Sequence, residues 1–425
     1  MSGCISISIS SNSFALPAKQ FRFSGRVWNS NAGPDFLDAQ VKIGPETWNG
    51  SVEVHLKASD WLRHQHQTDL RYDQVVLHVV WEDDQLLKRT DGSFIPTISL
   101  QARVQPALLE NYLNLKKDKS TIPCGPFINQ VPDLIVMQMQ DRALIERLEQ
   151  KATRITDLLQ VNKQDWEETT YQALVSSFGF KINQISFLQL SQILPFALIR
   201  KHREQLSQIE ALLFGQAGFL QDVPEDDEYL QNLKKEYTYL RHKYKLVNSM
   251  RAADWNFLRL RPANFPTVRL AQLAAILHGK NHLFSSIISL PNLPESLKFL
   301  DHQVSAYWQK HYMPGRENKL VAAEMGQESK INLLINTVVP LLFAYGRYHD
   351  KQDLIDKAIS LLENLPAEKN HLTRIYTDLG LKNKAAADSQ AYLQLHQAYC
   401  APRNCLYCTV GHYILRTKLA TAWLL

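Results

Sequence analysis

The residues best equipped for chemistry lie near the start of this sequence: Asp35 in Asn31-Ala32-Gly33-Pro34-Asp35-Phe36, then Glu53, His55 and Lys57 in Val52-Glu53-Val54-His55-Leu56-Lys57. Side chains alternate across a strand, so the pattern sends Val52, Val54 and Leu56 to an inner face and Glu53, His55 and Lys57 to the other. Two carboxylates, Asp35 and Glu53, are a pair of hard oxygen ligands for Mg²⁺ or Mn²⁺. Such an ion activates water and neutralises charge on a phosphate, and a basic neighbour, His55 or Lys57, orients the water or steadies the transition state. The bland alternative has Asp35 capping a turn and Glu53 pairing with Lys57 across an exposed face. Beyond the strand, Ser59-Asp60-Trp61, His64, His66, Asp69 and Tyr72-Asp73 crowd more His and Asp into a short stretch, with His64 and His66 as further catalytic candidates. His78, inside an apolar run, reads as a core histidine.

Positioning these groups requires strands. Asp38 to Ile43, Val52 to Lys57 and Val75 to Trp81 are rich in β-branched and aromatic residues, and Gly44-Pro45 through Asn49-Gly50 predicts a turn joining the first two as a hairpin. After Pro132 the character changes: Leu144, Leu148, Ile155 and Leu159 recur at helical spacing, and strand-like runs become scarce. Breaks are expected at Ile122-Pro123-Cys124-Gly125-Pro126, at Gln221-Asp222-Val223-Pro224 and around Met313-Pro314-Gly315. The fold class is therefore α+β, with an irregular segment at 1–20, an α/β domain at 21–120 and an α-helical region at 130–425.

A Pro-Asp, then an acidic residue eighteen positions on, then a basic one, resembles the PD-(D/E)XK arrangement of nucleases and related phosphodiesterases, with His55 where lysine is usual and Lys57 two residues beyond. The resemblance implies a restriction-endonuclease-like core with a mixed sheet and a metal-dependent nuclease acting on DNA or RNA. The following histidines resemble those of very-short-patch-repair-like nucleases, in which a histidine assists. The run 31–36, the stretch Gly50 to Trp61 and Leu77-His78-Val79-Val80 together resemble the domain-of-unknown-function 2851 (DUF2851) family of bacterial proteins. Asp165-Trp166-Glu167-Glu168, Ala211 to Gly218, Leu258 to Pro266 and the terminal cysteines extend that resemblance over almost the whole chain. The family implies no activity. Met1 to Gln20 departs from its longer, helix-bearing start, where the nuclease superfamily often keeps another acidic ligand. The rival to an enzyme is a non-catalytic nucleic-acid-binding or scaffold protein.

Cys400, Cys405 and Cys408 follow the spacing C-x₄-C-x₂-C, with Cys124 far upstream and His412 just after. Three clustered thiolates and a fourth ligand, Cys124 or His412, suit zinc or an iron–sulfur cluster such as [4Fe–4S]. The layout resembles RecB-like nucleases that tie distant cysteines together; otherwise the three are small buried hydrophobes. Lys234, Lys235, Arg241, Lys243 and Lys245, interleaved with Tyr237, Tyr239 and Tyr244, make a candidate nucleic-acid helix, and Arg259, Arg261 and Arg269 bracket a break before a helix start that could bind phosphate.

With 425 residues, 45% hydrophobic and 21% charged, the chain can bury a real core. Its net charge of +5 neither demands nor excludes a polyanionic partner. Leu333 to Tyr345, the longest apolar stretch, is interrupted by Asn336, Thr337 and Pro340, and falls short of the roughly 20 residues a membrane span needs. No secretory signal pattern opens the chain, and the five cysteines do not form a secreted disulfide framework, so the expected location is the cytoplasm.

Overall fold

A computed structural model describes residues 21–24, 27–43, 45–319, 321 and 323–417; the segment 1–20, with Cys4, lies outside the described residues. The chain divides into two compact units, Met1–Asp118 with Leu415–Leu425, and Lys119–Ile414.

The first unit is built on a mixed sheet of β1 (Phe21–Ser24), β2 (Val27–Trp28), β3 (Phe36–Ile43), β4 (Glu46–Lys57), β5 (Val75–Glu82) and β6 (Thr97–Ser99). The spatial order is β1-β3-β4-β5-β6, with β2 also pairing with β3. β3 runs antiparallel to β1 and β4, whereas β4, β5 and β6 are mutually parallel neighbours. The β3–β4 hairpin is tighter than expected: Ile43 already pairs with Glu46, and Thr47 to Gly50 continue the strand. Asn49-Gly50, expected to belong to the turn, lies in the ladder instead, with Gln40 opposite Asn49 and Ala39 opposite Gly50. Gly50 serves the strand in another way, because a Cβ there would stand 2.5 Å from both the Gln74 carbonyl oxygen and Val76 Cγ1.

Parallel strands need a crossover. Residues 58–74 supply it with a one-turn helix, α1 (Asp60–Arg63), and two 3₁₀ turns, His66–Thr68 and Leu70–Tyr72. This crossover decides which face of β4 is interior. Val52 is buried, but Val54 and Leu56 are 40% and 75% exposed, while Glu53 is only 5% exposed. The expectation of an apolar inner face on this strand is thus reversed beyond Val52: alternation defines two faces, and the element laid over one of them makes it the inside. Val52 joins Ala39, Val41, Val76, Leu77 and Ile98 in one apolar cluster; Ala58, Trp61, Tyr72, Val75, Val80, Leu87 and Ile95 form the other.

The second unit is helical. Its longest helix, Asp133–Val161, buries Leu144, Leu148, Ile155 and Leu159, as their spacing predicts. The next, Trp166–Phe178, begins on Asp165, whose side chain accepts the Glu167 and Glu168 amides, and is buried along its length from Thr169. The break at Met313-Pro314-Gly315 proves to be a small hairpin between β7 (His311–Met313) and β8 (Arg316–Glu317), which the scarcity of strand-like runs did not announce. Among the described residues no helix is long and apolar enough to cross a membrane.

Candidate metal centre

β4 and β5 lie side by side with Glu53 in register with His78 and His55 with Val80. From β4, Glu53 and His55 project under the crossover, which returns His64 from the end of α1 and His66 from the first 3₁₀ turn. His55 Nε2 is 3.2 Å from His64 Nδ1 and 3.3 Å from Glu53 Oε1, and His66 Nε2 is 3.4 Å from the same oxygen. Ligand atoms of His55, His64 and His66 all lie within 4.8 Å of one another. Ligands held at ~2.0–2.1 Å by a tetrahedral ion stand roughly 3.3 Å apart, close to the separations of the three pairs just given.

Surrounding groups fix the imidazoles. His78 is fully buried and its Nε2 sits 2.8 Å from His55 Nδ1. With the proton on His55 Nδ1 donated to His78, His55 Nε2 turns its lone pair toward His64 and Glu53, the arrangement by which an outer histidine orients a metal-binding one. Tyr72 stacks on His66 with ring centroids 3.7 Å apart, and Trp61 packs edge-on to His66 and His78. Asp35 enters from the start of β3: its amide donates to Glu53 Oε2 at 3.0 Å, and its own Oδ2 accepts the Val54 amide at 3.1 Å. Asp35 thus meets Glu53 through its backbone amide while its carboxylate turns to Val54, and Glu53 offers one oxygen to that backbone and the other to the imidazoles.

The electrostatics describe a site short of positive charge. Burial, and then the nearby Asp35 carboxylate, push Glu53 up to about 7. His55 and His78 fall to about 4, through burial first and neighbouring imidazoles second, and His66 is lowered by burial and by His64. Tyr72 is raised to about 12 by burial and by Glu53. Neutral rings therefore converge on one carboxylate, and His66 Nε2 is buried without a hydrogen bond. A single shared proton bridges only one of these contacts. His55, His64 and His66, whose ligand atoms lie within 4.8 Å of one another, are a donor set of a kind that fits a divalent cation.

Other expected site residues are dispersed. Lys57 is half exposed and paired with Glu82 at 3.0 Å, its neighbour in register on β5. Arg259 and Arg261 are exposed, Arg259 with a left-handed backbone. Arg269 is 4% exposed, its guanidinium held by Gln272, Asn264 and Ser329; it presents no surface for a polymer. Lys243 is exposed over the rings of Tyr239 and Tyr244, on a helix, Glu228–Tyr244, that buries Leu230, Leu233, Tyr237 and Leu240. Cys124, Cys400, Cys405 and Cys408 are all buried, whereas His412 is exposed, which leaves Cys124 as the companion of the three. The participant that the sequence hid is His78, read as core because its neighbours are apolar; its signal is the pairing with Glu53, which neither strand contains alone.

No curated protein matches this chain, and neither does any solved structure. Residues 24–371 match the profile of the family described as "Protein of unknown function (DUF2851)". The match covers Asp35, Glu53 and all four clustered histidines and stops short of Cys400. Over that span, which is most of its length, the chain belongs to the DUF2851 family.

Proposed function

We propose that this protein is a metal-dependent phosphodiesterase of the PD-(D/E)XK type that cleaves nucleic acid at the Glu53–histidine cluster. The carrying observation is the convergence of Glu53 Oε1 on His55 and His66 at 3.3 and 3.4 Å, with Asp35 bonded to the far oxygen of the same carboxylate. A hairpin followed by a parallel strand, with the Asp at the head of one strand and the Glu-x-His on the next, supports the restriction-endonuclease-like reading. His55, His64 and His66 hold the ion, Glu53 Oε1 faces His55 and His66 beside it, Asp35 positions Glu53 through its amide, and His78 fixes the His55 tautomer. Imidazole-rich sites favour Zn²⁺ or Fe²⁺ over the oxygen-preferring Mg²⁺, and Mn²⁺, the transition metal of the two ions expected from the paired carboxylates, tolerates nitrogen ligands better than Mg²⁺. When bound, the ion lowers the pKa of a water and offsets charge on the phosphoryl oxygens. Exposed His64 marks the solvent side, where a phosphodiester approaches.

Purified full-length protein given Mn²⁺, Zn²⁺ or Mg²⁺ and single-stranded, duplex and branched DNA and RNA is expected to cleave at least one of them, best with Mn²⁺ or Zn²⁺. Glu53→Gln and His55→Ala should abolish cleavage. Absence of turnover with every ion and substrate, or turnover indifferent to both substitutions, removes the enzyme. The engagement of Lys57 with Glu82 favours a second reading, a metal-binding nucleic-acid protein without hydrolysis. Salt-sensitive binding with no product selects that one.

A further inference from the structure

The cysteines remain outside this function. Cys124 precedes the 3₁₀ turn Gly125–Gln130, Cys400 ends the π-helical turn His396–Cys400, and Cys405 opens the turn Cys405–Tyr407, with Cys408 immediately after. All four thiols are buried and none is in a disulfide. Cys124, Cys400 and Cys408 line one narrow cavity whose other walls include Ile122, Ile128 and Val410. Cys405 lies close enough for its charge to oppose those of Cys124 and Cys400.

Buried thiols used only as small hydrophobes need no donors, yet donors and cations are gathered here. The Val410 and Gly411 amides point at the Cys408 sulfur, the Tyr376 hydroxyl lies 3.5 Å from Cys400 Sγ, and Arg403 and Arg142 lie near Cys400 and Cys408 respectively. Burial raises all four thiols, and the amides and cations directed at Cys400 and Cys408 are the groups that oppose it. Spacing narrows the choice of metal. Among the described residues only the three imidazoles bring three ligand atoms within 4.8 Å of one another, so no three of these sulfurs are that close. Sulfurs around a single tetrahedral zinc, with bonds of ~2.3 Å, stand roughly 3.8 Å apart. A wider frame surrounds a body larger than one ion, and C-x₄-C-x₂-C with a distant fourth cysteine is a spacing used for iron–sulfur clusters.

We propose that Cys124, Cys400, Cys405 and Cys408 ligate an iron–sulfur cluster that clips the C-terminal segment to the turn before the long helix Asp133–Val161. Full-length protein purified without oxygen should be brown, with a broad visible absorbance band and equal amounts of iron and acid-labile sulfide. Each of Cys124→Ser, Cys400→Ser, Cys405→Ser and Cys408→Ser should lose the band and most of the iron, while Cys4→Ser keeps both. The metal content of the unaltered protein decides the matter even where a variant fails to fold. Zinc at one per chain without iron, or neither metal, overturns the proposal, as does a band that persists in all four variants.

Discussion

Glu53 in the metal-free protein keeps its proton up to about 7, against 4.5 in an unfolded chain, so the folded state binds that proton more tightly. Its contribution to stability is complete below about 4.5 and is lost as pH rises through about 7. His55 and His78, lowered from 6.5 to about 4, act in the opposite sense: their contribution is present above 6.5 and is lost as pH falls toward 4. Glu53→Gln relieves only the alkaline loss. Melting curves in chelator should therefore show the variant gaining on the unaltered protein between pH 5 and pH 8, by on the order of 2 kcal/mol once water at the rim of the site is allowed for. A cation held by the neighbouring histidines would favour the charged form of Glu53, so affinity for Mn²⁺ or Zn²⁺ should rise as pH passes upward through about 7, as a competing chelator dye would report. His78→Ala leaves the ligands in place but frees the His55 ring; a 10–100-fold weaker affinity is the expected outcome. An unchanged affinity would make His78 a packing residue only.

At the scale of elements, the hairpin and crossover carry the geometry, and the sequence exposes them unevenly. Asp35, Glu53 and His55 are legible because their spacing is that of two adjacent strands. His64 and His66 are legible as a local excess of histidine. The covered face of β4 is not legible, since Val54 and Leu56 advertise burial while the crossover, a weakly helical stretch, chooses Glu53 and His55 instead. Nor is the β4–β5 register, which depends on how closely the two backbones approach. Gly50 is where that approach is tightest, and Gly50→Ala forces its Cβ against the Gln74 carbonyl and Val76. The expected cost is about 2 kcal/mol in urea unfolding, accompanied by weaker metal binding, because the strand that carries Glu53 must move. Among the helices, apolar periodicity predicted the buried stripe of Asp133–Val161, but not the small β7–β8 hairpin, which is too short to leave a period.

At the scale of the whole molecule, the two proposed centres fall in different compact units, the histidines in Met1–Asp118 and the cysteines in Lys119–Ile414. Each should then respond to its own treatment. A chelator that strips the histidine-bound ion should lower the transition of the sheet unit and leave the visible band of the helical unit intact, whereas oxidation of the cluster should do the reverse; calorimetry followed with absorbance distinguishes the two. A loss of both signals under one treatment contradicts that independence. The histidine centre itself draws on two kinds of support. Glu53 and His55 stand on a paired strand braced by His78, but His64 and His66 ride on a crossover of single turns, with His64 open to water. An ion held here would pass exposed His64 before it reached buried Glu53 and His55, and it would leave the same way. Its residence time would then follow how often those few turns lift from the strand, so the stretch that closes the cage would also keep its clock.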